Sequence, residues 1–200
     1  MSNTSNTSND FLPTGYTVPN STSGYMKLEQ GDNKFRPMGS PVMGQEFWID
    51  TKGDDGKPKR EPVRRRIGEN IDVGELTDPE GRIKHFWAFV VWNYNSNSLQ
   101  VLEITQKTIM KSITNLTKDE DWGSPVGNEG YDIVINKTGE KMETEYSVIA
   151  KPKKKLTPEI MKAYDTTTVN LEALFSNDDP FKVGGGKELN IDNFDPDSMD

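Results

Sequence analysis

The segment 85–94, HFWAFVVWNY, constrains the fold of this chain more than any other segment. Its aromatic and β-branched residues, followed by the polar residues 95–98 (NSNS), predict a β-strand that enters a hairpin turn. Successive side chains of a strand point to opposite faces, so this strand is apolar on both faces. A core needs only one of them, and the other requires a cover, either bases or a helix or loop of the same chain. We expect the even-numbered face to point outward, and it carries Phe86, Ala88, Val90, Trp92 and Tyr94.

Other periodic segments give a mainly β order with one internal helix. Ile109, Ile113 and Leu116 recur at i, i+4 and i+7, which predicts a helix over 106–118 with Thr105 as a possible N-cap. The prolines and glycines of residues 51–84 indicate a loop or at most an edge excursion. The order predicts an OB-fold, a five-stranded barrel with the helix between strands 3 and 4. The five predicted strands are 25–50 (bent), 85–94, 99–105, 131–137 and 144–150.

Composition divides the chain into four parts. Residues 1–23 are rich in Ser, Thr and Asn, which predicts a disordered N-terminal segment. Residues 24–155 contain the predicted OB-fold. Residues 156–175 are expected to be helical, since Thr157 and Pro158 form a favourable helix start. Residues 176–200 are expected to be a flexible acidic tail.

Several functional classes lack the residues that they need. The chain has no cysteine and a single histidine, His85, so disulfides and a cysteine-ligated zinc site cannot form. It has no apolar run of 18 residues and no secretion signal, so we expect a cytoplasmic protein without membrane contact. Without a phosphate-binding loop or a nucleophile motif, we expect neither an enzyme nor a cofactor nor a metal. The acids at 119–121 keep a metal-dependent nuclease as an unfavoured alternative.

The net charge of −8 conceals a segregation of charge along the chain. Residues 176–200 hold seven acids and two bases, whereas ten of the 24 Lys and Arg residues lie within 57–66 and 151–155. A single basic run is more often a solvated surface than a binding site. Combined with an aromatic platform, however, it favours binding of single-stranded nucleic acid, in which bases stack on rings and cations hold phosphates.

The predicted contacts to a single strand combine aromatic rings with nearby cations, without turnover. The alternative is a protein-interaction or inhibitor protein that presents a barrel edge or its acidic tail to a partner. The predicted nucleic-acid contacts are Trp48, Lys57, Lys59, Arg60, Arg64, Arg65, Arg66, Lys84, Phe86, Trp87, Trp92, Tyr94, Lys137, Lys151 and Lys153.

The acidic C-terminus is either a solubilising end or an interaction tail. Apolar residues between the acids favour a peptide that partner proteins recognise. The residues expected to contact a partner are Ile191, Asp192, Phe194, Asp195 and Asp197.

Short motifs spread over residues 24–155 and the tail give the chain a family resemblance. The chain resembles the single-stranded-DNA-binding (helix-destabilising) proteins of tailed bacteriophages. The motifs that carry the resemblance are Gly24-Tyr25-Met26-Lys27-Leu28, Asn33-Lys34-Phe35-Arg36, Lys84-His85-Phe86-Trp87, Leu102-Glu103-Ile104-Thr105-Gln106-Lys107, Asp121-Trp122-Gly123, Tyr131-Asp132-Ile133 and Ile191-Asp192-Asn193-Phe194-Asp195.

The resemblance implies an OB-fold that coats single strands in phage DNA replication, recombination and repair, in the cytoplasm of an infected bacterial host. It implies that the acidic tail contacts phage or host replication and recombination proteins. It also implies that Arg82, Lys84, Phe86 and Trp87 line the DNA cleft. This chain departs from the best-known members in two respects: it lacks the cysteines of their structural zinc, and residues 1–23 contain no Lys or Arg that would form a basic arm.

Overall fold

Eight strands form one mixed sheet in the computed structural model, which describes residues 24–53, 55–72 and 83–182. The mainly β class predicted from the sequence is confirmed. The predicted bent strand 25–50 divides into three strands. In chain order the strands are β1 Tyr25–Met26, β2 Gly31–Pro37, β3 Val42–Lys52, β4 Pro58–Arg66, β5 Lys84–Asn93, β6 Ser98–Ile104, β7 Ile133–Thr138 and β8 Glu145–Ala150.

Two α-helices and two short 3-10 segments accompany the sheet. Helix α1 spans Lys107–Lys118 and buries Ile109 and Ile113 as the periodicity predicts, but its N-cap is Gln106 and not Thr105. Helix α2 spans Pro158–Thr166 and begins after Thr157 as expected. It does not continue to residue 175, because residues 167–170 separate it from a 3-10 segment. The 3-10 segments are Lys141–Glu143 and Leu171–Ser176.

The sheet is open in the described part of the chain. Its main path runs β1-β6-β5-β2-β7-β8, and β3 pairs with both β5 and β4. The β1–β6 pair is parallel and the other pairs are antiparallel. No described strand pairing joins the two ends of the path, so the arrangement is not clearly the closed five-stranded barrel expected from the sequence.

The sequence predicts a loop or at most an edge excursion over residues 51–84, and the structure has an edge strand there, β4. Residues 58–66 pair antiparallel with residues 44–52 of β3 over their whole length. Pro58 and Pro62 lack an N–H, which an edge strand tolerates, and β4 pairs only with β3 among the described strands. The basic run therefore lies mostly on a regular strand, where alternate side chains point to opposite faces.

The main core lies between the sheet and α1. Phe89 and Val91 on the odd-numbered face of β5 pack there with Leu102 of β6 and Ile133 of β7. Ile109 of α1 completes the cluster, and all five residues are buried. The apolar stripe of α1 and the odd face of β5 are thus buried in the same core cluster.

The even-numbered face of β5 is covered by the chain itself, which corrects the expectation that it points outward. Residues 156–182, here called the C-terminal strap, lie over this face. Phe86 is fully buried with Leu174, and Val90 is buried with Ile160. Burying apolar surface stabilises a fold by about 25 cal/mol per Å². The strap is therefore an integral part of the fold, and it supplies the cover that bases were expected to provide.

Gly44 lies where the strap approaches β3 most closely. A Cβ atom at this position would lie 2.5 Å from the carbonyl oxygen of Arg65 and 2.8 Å from the ring of Phe175. The ring of Phe175 in turn packs against that of Phe86, with 5.9 Å between centroids. Only a residue without a side chain fits here, so Gly44 allows the strap to close on the sheet.

A buried ion pair fixes the segments around β7. The Nε atom of Arg36 donates to Oδ1 of Asp132 at 2.8 Å, and both side chains are almost completely buried. Nη1 and Nη2 of Arg36 donate to the carbonyl oxygens of Gly127 and Lys154. Because one guanidinium holds three segments, it determines where the lysine-rich residues 151–155 lie.

Candidate nucleic-acid interface

The β3–β4 hairpin extends beyond the rest of the described sheet. β3 pairs with β5 over residues 42–46 and with β4 over residues 44–52. Beyond Glu46 the two strands therefore pair only with each other among the described residues. We call residues 47–63 the β3–β4 arm.

The arm carries an exposed indole beneath a guanidinium. Trp48 is 39% exposed, and the guanidinium carbon of Arg60 lies 5.7 Å from its ring centroid. The register pairs Trp48 with Pro62 and Asp50 with Arg60, so all four side chains lie on one face of the arm. A ring exposed in this way can stack on a base, and the guanidinium beside it can hold a phosphate.

Most other cations of the basic run are held by carboxylates of this chain. Exposed ion pairs contribute only about 0–1 kcal/mol, so a phosphate can displace those of Lys57, Lys59 and Arg66. Within the described residues, Arg60 and Arg65 have no carboxylate within 4.0 Å. The ion pairs are Lys57 with Asp55 at 3.0 Å, Lys59 with Glu61 at 2.6 Å, Arg64 with Glu46 at 3.3 Å and with Glu103 at 2.8 Å, and Arg66 with Glu69 at 3.7 Å and with Glu172.

Arg64 is a structural residue, which corrects its predicted role as a phosphate contact. Its side chain is 11% exposed and lies between the carboxylates of Glu46 and Glu103. Burial raises the pKa of Glu46, which the guanidinium of Arg64 opposes. Nε of Arg64 and Oε1 of Glu103 are buried and have no hydrogen-bond partner in the described part of the chain. Moving Arg64 to a phosphate would leave two poorly solvated carboxylates unpaired, which is costly.

On the opposite face of the sheet, Arg65 of β4 lies in the row of residues next to the row that contains Trp87. Gln45 of β3 pairs with both Arg65 of β4 and His85 of β5, which places these three residues in one row across the sheet. The next row on the same face pairs Met43 with Trp87. The indole Nε1 of Trp87 donates to Nε2 of His85 at 3.0 Å.

Trp87 and Met43 form one wall of a cleft with a volume of about 370 Å³, here called the Trp87 cleft. Trp87 is half-buried and Met43 is 42% exposed. Thr114 and Thr117 of α1 also line the cleft. The other residues lining the cleft are Pro37, Gly39, Ser40, Pro41, Phe89, Ile113, Ser124, Pro125, Val126 and Ile133.

Tyr94 is a second ring that lies close to cations, and with Lys34 and Lys154 it forms what we call the Tyr94 patch. Nζ of Lys34 lies 4.3 Å from the ring centroid of Tyr94, and Nζ of Lys154 lies 6.0 Å from it. The Tyr94 hydroxyl donates to Oδ1 of Asp132 at 2.9 Å. Burial and this hydrogen bond to the carboxylate raise the pKa of Tyr94 to about 12. The phenol is therefore neutral at physiological pH.

Asp132 organises this second patch. Burial alone would raise its pKa, but hydrogen bonds from Lys34, Tyr94 and Arg36 outweigh that effect, and the pKa of Asp132 lies below its usual value. The ion pair between Nζ of Lys34 and Oδ2 of Asp132 measures 3.0 Å. A buried carboxylate thus holds the ring and one of its cations in place.

The remaining predicted contacts divide by exposure. Phe86 is fully buried under the strap, so a base cannot stack on it in this structure. Trp92 is half-buried against the strap. Lys137 is half-buried, and its Nζ donates to the carbonyl oxygen of Leu28 at 3.1 Å. The other predicted lysines outside the basic run are exposed: Lys84, Lys151 and Lys153.

Several predicted residues lie outside the described residues. They are Arg82, the whole of the N-terminal segment 1–23, and the tail residues Ile191, Asp192, Phe194, Asp195 and Asp197.

Sequence reasoning missed Lys34, Met43 and Gln45. Lys34 stands inside the motif Asn33-Lys34-Phe35-Arg36 but outside any basic run, so charge clustering did not single it out. Met43 and Gln45 became visible only through their pairing with Trp87 and His85. The alternation of the predicted strand that contains Met43 was the one available signal.

Comparison of this chain with protein-family models, with curated proteins and with solved structures finds no match. No described helix combines the length and the apolar character needed to cross a bilayer. Along the described stretches, no three His, Asp or Glu side chains gather in a way that would hold a metal ion.

Proposed function

We propose that this protein binds single-stranded DNA without sequence preference and without turnover. The observation that carries the proposal is the exposed Trp48 beneath Arg60 on the β3–β4 arm, with Arg65 at the base of the arm. Both guanidiniums lack a carboxylate partner among the described residues. Stacking on an aromatic ring stabilises a bound strand by about 1–3 kcal/mol per base, whatever the base.

The Tyr94 patch supports the same function at a second place. Its ring lies close to the ammonium groups of Lys34 and Lys154, and the exposed Lys151 and Lys153 are close to Lys154 in sequence. Ammonium groups around a ring suit a phosphate backbone whose bases stack beside it. Two such patches would give a strand more than one point of attachment, which raises affinity through effective concentration.

The strand connectivity supports the OB-type fold that we propose for residues 24–155. β2 and β3 follow each other, both pair with β5, and β2 also pairs with β7, so together they take the place of one bent first strand. Helix α1 lies between β6 and β7, the expected third and fourth strands. The arm occupies the connection between the first and second strands, one of the places where OB-folds bind oligonucleotides.

We further propose a role in phage DNA replication, recombination and repair, in the cytoplasm of an infected bacterium. The resemblance to phage helix-destabilising proteins supports this role. In this role, the protein would coat and protect single strands, and its acidic tail would recruit replication and recombination proteins.

The proposal is tested by titrating the whole protein with poly-dT and following tryptophan fluorescence and the anisotropy of a labelled strand. We expect quenching and saturable binding, weaker binding to duplex DNA, and loss of affinity with Trp48→Ala. The matched control is Ile149→Ala, which also shortens an exposed apolar side chain but on β8 at the far edge of the sheet. Absence of binding at low salt would refute the function.

A protein-interaction module is the second candidate, and two observations favour it. The apolar face of β5 that bases were expected to cover is covered by the strap. Most cations of the basic run are already held by carboxylates of the chain. This candidate predicts no fluorescence change with poly-dT, so the same titration decides between the two functions.

A further inference from the structure

The Trp87 cleft is a concave, mostly apolar site on the same side of the sheet as Arg65. Its floor is formed by Phe89 and Ile133, and its wall by Trp87. The volume of about 370 Å³ lies near the lower end of the range of ligand pockets, about 300–1,000 Å³. A site of that size suits one small planar group and excludes a longer stretch of chain.

We infer that this cleft takes one unstacked nucleobase of the bound strand, an inference that rests on the proposed function. The half-buried indole of Trp87 offers a ring against which a base can stack. Its N–H is already donated to His85, so the indole does not select a base by hydrogen bonding. The hydroxyls of Thr114 and Thr117 also line the cleft and donate to the carbonyl oxygens of Met110 and Thr114, so their oxygens can accept from the N–H groups that every base carries on its edge. The lining is therefore tolerant of sequence.

Charge complementarity distinguishes a nucleotide from an apolar peptide side chain as the occupant. Arg65 lies in the row next to Trp87 and Met43, about 7 Å along the strand direction and about 10 Å across the sheet. Its guanidinium donates to the backbone carbonyl oxygen of Arg64 and has no carboxylate partner among the described residues. A strand with a base in the cleft would carry its phosphate towards this free charge, whereas an apolar side chain would gain nothing from it.

Photo-cross-linking tests where the base lies. A dT oligonucleotide with a single 5-iodouracil is bound to the full chain, irradiated at long wavelength and mapped by mass spectrometry. We expect a cross-link at Trp87 or Met43. Cross-links confined to Trp48, Trp92 or Tyr94 would overturn the inference and leave the proposed function intact. Absence of binding would overturn both.

Two pairs of variants measure the contribution of the cleft. Thr117→Phe fills the cleft from α1, and its control Asn115→Phe adds the same ring at an exposed position of the same helix. Met43→Glu places a negative charge at the rim, and its control Met142→Glu does so at a residue that is 99% exposed, in the turn between β7 and β8.

We expect each cleft variant to weaken dT binding by about 5- to 150-fold, the effect of losing one stacked base. The cross-link at Trp87 should disappear with it, while both controls bind as the unaltered protein does. A cooperative melt establishes that each variant is folded. If folded cleft variants bind dT normally, the cleft serves another occupant, such as an apolar side chain of a partner, and the inference is wrong.

Discussion

Phe86 and Trp48 lie on neighbouring parts of the sheet, and their surroundings give them different roles. Phe86 is fully buried and packs against Phe175 and Leu174. Trp48 stands on the arm with much of its ring exposed. The chemistry of the two rings is similar, so burial alone decides which of them can meet a base.

Replacing each ring by alanine should separate stability from binding. Phe86→Ala should lower the free energy of unfolding by about 3–5 kcal/mol, because it leaves a cavity beneath the strap. Trp48→Ala should change stability by only about 0.5 kcal/mol and weaken dT binding by about 1–3 kcal/mol. Urea unfolding and dT titration of both variants provide the measurements. If Phe86→Ala leaves stability unchanged but weakens dT binding, the ring of Phe86 faces outward, as the sequence predicts.

Asp132 makes the stability of the fold depend on pH. The pKa of its carboxyl is lower in the folded protein than its ordinary value of 3.8, so the charged form is favoured by folding. The contribution is present above about pH 4 and is lost as pH falls through the lower folded pKa. Urea unfolding between pH 6 and pH 2 should show this decline.

The variant Asp132→Asn is the control for that titration. It should be less stable at neutral pH by about 3–5 kcal/mol, because it leaves the buried Arg36 without its counter-charge. It should also lose less stability between pH 4 and pH 2 than the unaltered protein does. Parallel pH profiles for the two proteins would show that Asp132 is not the titrating group.

Among the elements, strand β4 directs the neighbouring arginines of the basic run to opposite faces of the sheet. Arg64 and Arg66 point to the strap side, where Glu46, Glu103 and Glu172 meet them. Their neighbour Arg65 points to the other side, towards the row that leads to Trp87. Three consecutive arginines therefore occupy two different environments.

Alanine substitution at these neighbours should have contrasting effects on the salt dependence of binding. Arg65→Ala should weaken binding to all sequences and flatten the slope of log affinity against log salt by about 0.7, the value for one phosphate contact on a single strand. Arg64→Ala should instead destabilise the fold and leave the slope unchanged once the protein is folded. Titrations at four salt concentrations measure the slopes. If only Arg64→Ala flattens the slope, then Arg64 is the phosphate contact and Arg65 is not.

At the scale of the whole molecule, the strap changes where the domain ends. The backbone N–H of Asn170 donates to the carbonyl oxygen of Pro180 at 2.8 Å. Pro180 is buried, and Phe181 packs with the strap cluster. Residues 176–182, counted from the sequence as part of the acidic tail, thus belong to the folded strap. A truncation that tests the tail must begin after Lys182.

Removal of residues 183–200 should tighten single-strand binding at low salt. These residues hold five acids and one base, and acids tethered beside a basic site compete with phosphates at high effective concentration. The gain should shrink as salt screens the attraction, and capture of replication partners should be lost. Binding of both proteins at two salt concentrations measures the effect. Equal affinities at low salt would contradict competition and leave a solubilising role for the tail.

The local elements of this protein follow from short stretches of its sequence. The alternation of residues 85–94, the turn after them, the helical stripe of α1 and the β7–β8 hairpin all follow from periodicity over a few residues. The start of α2 at Pro158 follows in the same way. These features depend on neighbours in the chain, and a single sequence records such neighbours directly.

Tertiary structure alone decided which surfaces are free. Both faces of β5 are apolar, so only the docking of the strap could show that the even face is buried. The prolines of residues 51–84 allow either a loop or an edge strand, and only the pairing with β3 shows that β4 is an edge strand. The carboxylates that hold Arg64 come from β3 and β6, and Glu103 lies 39 positions away in the chain. Exposure and charge pairing are properties of residues distant in sequence, so local pattern cannot supply them.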